Sequence, residues 1–106
     1  IVDQTAIARP DWVSCEDMLR GDERYAVGAV VGHNCDPVVP GAGSCIFLHV
    51  WEAPGVPTAG CTAMSLADMT EISAWLDGAA PPLLVQLPQA EYECCREAWG
   101  LPVFAP

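Results

Sequence analysis

The sequence predicts an α+β fold in which a small sheet carries flanking helices. Two apolar, β-branched segments lie on either side of a loop rich in Pro and Gly, and two later segments have helical spacing or capping signals. The predicted order is helix, strand, strand, helix, strand, helix. Short strands interspersed with helices around one core define the α+β class. We expect all 106 residues to form a single domain, because the chain has no internal repeat and is long enough for only one small core.

The first half of the chain is predicted to contribute one helix and two strands. Ser14 followed by Asp17 is typical of a helix N-cap with an acid in the first turn, so we expect a helix that ends at Gly21. Residues 25–32 (YAVGAVVG) predict a buried strand. Residues 44–51 (SCIFLHVW) are apolar on both faces, so this second strand should be central in the sheet.

The second half is predicted to contribute two helices and a third strand. Ser65 followed by Asp68 indicates a capped helix. The apolar residues of this helix recur every three or four positions and should form one core-facing stripe: Leu66, Met69, Ile72, Trp75 and Leu76. Residues 83–87 (LLVQL) predict a strand, and residues 89–99 (QAEYECCREAW) predict the last helix. We expect the tryptophan of the stripe and Trp99 to pack in the core.

Charge and hydropathy exclude several classes of partner. The chain has 14 acidic residues and only four Lys and Arg, for a net charge of −10. Nucleic acids and anionic membranes are bound through Lys and Arg, so neither is expected as a partner. No apolar run reaches the roughly 18 residues of a membrane-spanning helix. The chain also lacks an initial Met and a signal peptide, from which we expect that it starts at a processed or cut end.

The cysteine pattern leaves two interpretations open. The sequence contains Cys15, Cys35, Cys45, Cys61, Cys94 and Cys95. An even number of cysteines in a short chain fits a disulfide-stapled secreted domain, and it also fits a set of small buried thiols. There is no CxxC pair and no His beside a Cys pair, so the spacing argues against zinc. We therefore expect no metal and no cofactor.

One pair of residues, His49 and Cys61, suggests covalent catalysis. A thiol becomes a strong nucleophile as a thiolate, and an imidazole can accept its proton. His49 lies near the end of the predicted central strand, and the loop that follows is long enough to bring Cys61 back over that strand end. Gly60 leaves the thiol uncovered and lets backbone N–H groups face an oxyanion. A core histidine and an ordinary Gly-Cys loop fit the same spacing.

Several segments between Tyr25 and Trp99 together are specific for one family. They combine a strand ending in FLH, a short Pro/Gly loop and a T-x-G-C motif: residues 30–34 (VVGHN), 36–50 (DPVVPGAGSCIFLHV), 57–64 (PTAGCTAM) and 83–88 (LLVQLP). In these segments the chain resembles the L,D-transpeptidase (YkuD/ErfK-type) catalytic domain. The resemblance implies a mostly-β catalytic core with flanking helices. It covers only the C-terminal part of such a domain, so we expect the N-terminal strands to be missing from this chain, or supplied by another chain.

The resemblance implies a cysteine acyltransferase of bacterial peptidoglycan stem peptides. In that family a cysteine thiolate attacks a stem-peptide carbonyl, a thioester forms and a terminal D-residue leaves. The amine of a diamino acid on a second stem then takes the acyl group, which forms an L,D cross-link. Water as the acceptor would make the enzyme an L,D-carboxypeptidase. The resemblance also implies an extracytoplasmic location, in the periplasm or cell wall.

The catalytic residues of the family have matches in this sequence. Cys61 matches the nucleophile of the [ST]-x-G-C motif, and His49 matches the upstream histidine that acts as the base. Gly60 and the backbone N–H of Cys61 match the oxyanion region. A different class of function also fits these segments: a non-catalytic or incomplete piece of the same fold that acts as a cell-wall binding or structural module.

The substrate-binding positions match the family less closely. We assign Thr58, Thr62 and His33 to substrate binding, although a loop histidine bonded to the backbone is an alternative for His33. Many members carry a second histidine where this chain has Ala59, and an arginine where it has Ala63. Alanine at position 63 removes the arginine that would pair with a substrate carboxylate. This difference therefore affects the choice of substrate more than the class of reaction.

Overall fold

The computed structural model describes residues 2–13 and 15–103. Their elements are a 3₁₀ turn at Gln4–Ala6, strands β1 (Gly28–Val30), β2 (Phe47–Val50) and β3 (Thr62–Met64), and helices α1 (Leu66–Trp75) and α2 (Gln89–Trp99). The protein is therefore a small α+β fold with a three-stranded mixed sheet and two α-helices in its described part, which confirms the predicted class. Neither α-helix in these ranges has the length and apolar character needed to cross a membrane.

Strand β2 is the centre of the sheet, as its apolar sequence predicts. The strand order is β1-β2-β3, with β1 antiparallel and β3 parallel to β2. His49 pairs with Gly28 on one side and with Ala63 on the other. At Gly28 a Cβ would lie 3.0 Å from the carbonyl oxygen of Leu48, so a glycine lets β1 approach β2 closely.

Helix α1 closes one side of the sheet and begins where the sequence predicts. The Ser65 hydroxyl accepts a hydrogen bond from the backbone N–H of Asp68 at 3.1 Å, which caps the helix. The helix packs on β1 and β2. Met69 is fully buried there, and with Phe47, Val50 and Tyr92 it makes up the buried apolar core of the described residues.

Helix α2 has the bounds that the sequence predicts. It ends at Gly100, whose φ of 63° allows the N–H of Leu101 to bond the carbonyl of Arg96 at 2.9 Å. The hydroxyl of Tyr92 donates to the carbonyl of Pro102 at 2.9 Å, so the buried tyrosine ties the segment after the helix back to it.

The predicted first helix is wrong for the part that the structure describes. Ser14 lies outside the described residues, and residues 15–20 are not helical. The Asp17 carboxylate accepts the backbone N–H of Leu19 at 2.9 Å, and Arg20 bonds Asp22. These local side-chain bonds offer the backbone an alternative to a helix. The segment also has no apolar stripe that could stabilise a helix by packing against the core.

The predicted strands differ from the observed ones in several places, and the second strand covers only Phe47–Val50 of the predicted 44–51. The first strand is shorter than predicted, covers only Gly28–Val30 and is mostly exposed. The prediction of a strand at 83–87 is wrong, since that segment forms no ladder and Leu83 is 93% exposed. The position beside β2 is taken by Thr62–Met64, which the sequence did not predict as a strand. Apolar composition alone does not determine which segment finds a pairing partner.

The predicted apolar stripe of α1 is buried only in part. Met69 is fully buried, but Leu66 and Trp75 are exposed. Trp99 on α2 is exposed as well, so the expectation that both tryptophans pack in the core is wrong. Strands of three or four residues cover only a short length of a helix, which leaves its ends in solvent.

We predict that Met69→Ala lowers the free energy of unfolding by about 2–5 kcal/mol, because it leaves a cavity in a core of few side chains. Urea denaturation followed by circular dichroism measures this change. Leu83→Ala is the control at an exposed position and should change stability by less than about 0.5 kcal/mol. Equal effects of the two substitutions would contradict the assignment of the core.

Candidate functional site

A cleft of about 250 Å³ opens along the β2–β3 pair. Its lining includes a thiol, an imidazole, a guanidinium and a carboxyl group among the following residues: Arg24, His49, Trp51, Glu52, Thr58 and Cys61. Residues from the segment before β1, from β2 and from the loop before β3 therefore meet at one place. The two residues that the sequence pairs as base and nucleophile lie in the same cleft.

The parallel pairing of β3 with β2 brings Cys61 near His49. Ala63 pairs with His49, and Cys61 comes two residues before Ala63. Side chains two residues apart on a strand lie on the same face, and Cys61, Ala63 and His49 all line the cleft. Strand spacing and rise place the Cα atoms of such a diagonal pair about 8 Å apart, within reach of an imidazole and a thiol.

His49 is held in one orientation. Its side chain is buried, with the residue 7% exposed, and its Nδ1 lies 2.8 Å from the carbonyl oxygen of Val50. A carbonyl only accepts, so this bond places the proton on Nδ1 and leaves Nε2 as the acceptor of the neutral ring. The Tyr25 ring packs on the imidazole with a centroid separation of 5.0 Å. A core histidine would make the same carbonyl bond, but His49 also borders an open cleft.

The sulfur of Cys61 contacts the start of β2. The backbone N–H of Phe47 points at Sγ at 3.4 Å, and Sγ lies 3.9 Å from the carbonyl oxygen of Cys45. A thiolate can accept the N–H, and a thiol can donate to the carbonyl, so these contacts suit both protonation states. Cys61 is half-buried, which leaves the sulfur reachable from the cleft.

The loop before Cys61 is held by Thr58. The Thr58 hydroxyl donates to the carbonyl oxygen of Cys61 and accepts the N–H of Gly60 at 3.3 Å. Gly60 has a φ of 153°, a conformation that residues with a side chain rarely adopt. Thr58 therefore lines the cleft and also fixes, through these two hydrogen bonds, the backbone conformation at Gly60 and Cys61.

The other two predicted substrate-binding residues lie elsewhere. Thr62 donates to the side-chain carbonyl of Gln86 at 2.6 Å, and His33 Nε2 lies 2.9 Å from the carbonyl oxygen of Ala42. Neither is among the described residues that line the cleft. The His33 bond is the one expected of a loop histidine, and its role in substrate binding, like that of Thr62, stays a prediction.

Arg24 is a candidate site residue that the sequence did not reveal. It is the only Lys or Arg among the described residues lining the cleft, where it forms an ion pair with Glu52. Its backbone carbonyl also accepts the N–H of Val50 at 3.0 Å, which holds this segment beside the end of β2. No motif surrounds Arg24, so only the tertiary structure shows that a cationic side chain borders the cleft.

Tyr25 connects the cleft to the segment before the sheet. Burial of the ring raises its pKa to about 12, and the hydrogen bond to Glu16 and the negative charges of Glu16 and Cys61 act in the same direction. Tyr25 is therefore neutral at physiological pH and presents its hydroxyl to the Glu16 carboxylate. Glu16 borders the cleft, so its contact with Tyr25 links the tyrosine that packs on His49 to the cleft wall.

The described part of the chain contains no disulfide and no metal-binding cluster. Cys35, Cys45, Cys61, Cys94 and Cys95 are free thiols, which does not favour the disulfide-stapled alternative. Within residues 2–13 and 15–103 no three His, Cys, Asp or Glu side chains lie where they could hold a metal ion together. The side chains that line the cleft include a thiol, an imidazole, a guanidinium and two carboxyl groups.

Comparison with known proteins gives no match: no protein-family model, curated protein or solved structure matches the chain.

We predict that Glu16→Gln lowers the pKa of Tyr25 from about 12 toward its ordinary value of 10, because the substitution removes a negative charge beside the phenol while burial remains. Absorbance titration near 295 nm measures the change, with Tyr25→Phe identifying the signal. The pKa of Tyr25 is higher in the folded chain than in the unfolded chain, so the neutral phenol contributes to the free energy of unfolding below pH 10. This contribution to stability is lost as the pH rises from 10 to 12. A titration unaltered by Glu16→Gln would contradict the contact.

Proposed function

We propose that the protein is a cysteine acyltransferase of the L,D-transpeptidase type, which acts on peptidoglycan stem peptides in an extracytoplasmic compartment. One observation supports this activity most directly: Cys61 and His49, the two residues matched to the T-x-G-C motif and the upstream histidine, border the same cleft on one face of the sheet. The reaction class follows from the thiol and imidazole. The substrate class and the location follow from the motif resemblance alone.

The first half of the reaction forms a thioester. His49 accepts the thiol proton at Nε2, since its Nδ1 is engaged with the Val50 carbonyl. The Cys61 thiolate then attacks the carbonyl that precedes a terminal D-residue, and a bond between sulfur and carbon forms. The backbone N–H of Cys61 donates to the oxyanion, because the N–H of Gly60 is already donated to the Thr58 hydroxyl. Collapse breaks the peptide bond, and the proton on His49 passes to the departing amine.

The second half transfers the acyl group. An amine on a second stem peptide attacks the thioester carbonyl, a new amide bond forms and the bond to sulfur breaks. His49 accepts a proton from the attacking amine, and the resulting imidazolium returns the proton to the thiolate, which restores the starting enzyme. If water attacks instead, the same site acts as an L,D-carboxypeptidase.

Arg24 supplies a recognition element for the donor substrate. A stem peptide that ends in a D-residue carries a terminal carboxylate near the bond that breaks. Arg24 borders the cleft, and its guanidinium is already paired with the Glu52 carboxylate. A substrate carboxylate can exchange with Glu52 or share the guanidinium with it. This arrangement compensates for the alanine at position 63.

The small size of the apolar core supports a second candidate function, that of a non-catalytic module. Among the described residues only four hydrophobic side chains are buried, and Val30 on the outer strand is largely exposed. An exposed sheet edge of this kind favours association with another strand. The alternative is therefore a cell-wall binding or structural module that has the transpeptidase fold and assembles no working site on its own.

We predict that a carbapenem acylates this protein once, at Cys61. The thiolate opens the β-lactam ring, which has no leaving group, so the intact mass should rise by the full mass of the drug. Cys61→Ala should abolish the adduct, and His49→Gln should slow its formation by about 10²-fold or more, because the general base is lost. Intact-protein mass spectrometry over a time course measures all three.

Cys35→Ala is the matched control, because it removes an exposed cysteine that does not border the cleft. It should leave the acylation rate unchanged. An adduct that persists in Cys61→Ala would contradict the assignment of the nucleophile. No adduct on the folded parent chain would favour the non-catalytic module.

We predict that Arg24→Gln lowers the second-order rate of carbapenem acylation by about tenfold, since a charge-assisted hydrogen bond to the drug carboxylate contributes about 1.5 kcal/mol or more. Arg96→Gln is the matched control: its side chain is 34% exposed, against 31% for Arg24, and it also pairs with a glutamate, but on α2. Equal rates in the two variants would exclude Arg24 from recognition of the carboxylate.

A further inference from the structure

The guanidinium of Arg24 already faces two carboxylates. Its Nη2 donates to the Glu52 carboxylate, and its Nε lies 3.5 Å from Oδ2 of Asp22. A guanidinium offers a carboxylate two bidentate edges, one formed by Nε and Nη2 and the other by Nη1 and Nη2. Nη2 takes part in both edges, so the Glu52 carboxylate lies beside each of them. Like charges repel, and a substrate carboxylate therefore binds Arg24 bidentately at the expense of Glu52.

Asp22 and Glu52 differ in how firmly they are held. Arg20 donates to Asp22 with bonds of 3.0, 2.9 and 2.7 Å, and these bonds lower the pKa of Asp22 to about 2. Asp22 therefore stays ionised and paired with Arg20. Glu52 comes two residues after the end of β2, and its side chain is 55% exposed. An exposed ion pair contributes little to stability, so Glu52 is the carboxylate that can exchange.

The charges of the cleft suit an uncharged polar group better than an anion. Its described lining has two carboxyl groups, from Glu16 and Glu52, and one guanidinium, from Arg24, so its formal charge is negative. A carboxamide has nearly the shape of a carboxylate but can both donate and accept. Its carbonyl can accept from Arg24 while its N–H donates to Glu52, and the ion pair stays in place.

We propose that Glu52 is a specificity-determining residue, which competes with substrate carboxylates for Arg24 and shifts the preference of the cleft toward acyl donors that end in an uncharged carboxamide. This role rests on the proposed acyl transfer, but the charge preference itself needs no transfer. Arg24 and Glu52 both lie outside the four segments that carry the family resemblance, so the preference follows from their contacts in the folded chain.

Alkylation of Cys61 measures this preference on the full chain without any acyl donor. Iodoacetate and iodoacetamide differ only in a carboxylate against a carboxamide. With each reagent the thiolate sulfur forms a bond to the methylene carbon as the bond to iodine breaks and iodide leaves. Peptide mass spectrometry gives the two rates at Cys61, and their ratio cancels any change in the reactivity of the thiol itself.

We expect Glu52→Gln to raise the ratio of the iodoacetate rate to the iodoacetamide rate about two- to fivefold, because it removes the competing carboxylate. Arg24→Gln should lower the ratio. In the Arg24→Gln background, Glu52→Gln should have a smaller effect, since competition requires the guanidinium. Glu93→Gln is the matched control and should leave the ratio unchanged. Its side chain is 49% exposed, against 55% for Glu52, and it also pairs with an arginine, but on α2.

An unchanged or lower ratio in Glu52→Gln would overturn the proposal. An equal effect of Glu52→Gln with and without Arg24 would overturn it too, because charge repulsion alone would then explain the ratio. The same holds if Cys61 is not alkylated while the exposed Cys94 reacts. A raised ratio in Glu52→Gln with no carbapenem adduct on the parent chain would support the role of Glu52 and reject the acyltransferase function.

Discussion

The parallel pairing of β3 with β2 is the constraint on which the candidate site depends. It opposes Ala63 to His49 and so brings Cys61, two residues earlier, onto the same face of the sheet. The N–H of Trp51 extends the pairing with a bond of 2.8 Å to the carbonyl of Met64. A slip of one residue would turn Cys61 to the opposite face, so the register of three residue pairs determines whether thiol and imidazole can meet.

The site and the core use the same side chains. Phe47 and His49 are both buried on β2, and the Tyr25 ring contacts each of them, with centroid separations of 6.4 Å and 5.0 Å. The N–H of Phe47 also meets the sulfur of Cys61. In so small a core, groups that stabilise the fold also orient the reactive groups. A change at Tyr25 or Phe47 is therefore expected to alter stability and reactivity together.

Some features that depend on neighbours in sequence were predictable, although the helix predicted after Ser14 was not observed in residues 15–20. The cap at Ser65 and the full extent of α2 follow from hydrogen bonds and spacing within a few residues, and the structure has both where they were expected. The central place of β2 followed from its continuous apolar sequence. The segment at 83–87 is also continuously apolar, but it forms no strand. A strand also needs a pairing partner, and the edge of β2 pairs with Thr62–Met64 instead. That segment is short and carries little β-propensity beyond Thr62, so no local signal marked it.

By itself, the sequence determined the α+β class, the two helices, the central strand and the pairing of His49 with Cys61 as candidates for chemistry. These follow from local capping, apolar patterning and a short motif. The tertiary structure alone decided that His49 and Cys61 share a cleft and that Arg24 borders it. Those relations join residues up to 37 positions apart, and strand pairing and packing, which bring such residues together, depend on partners that no local window contains.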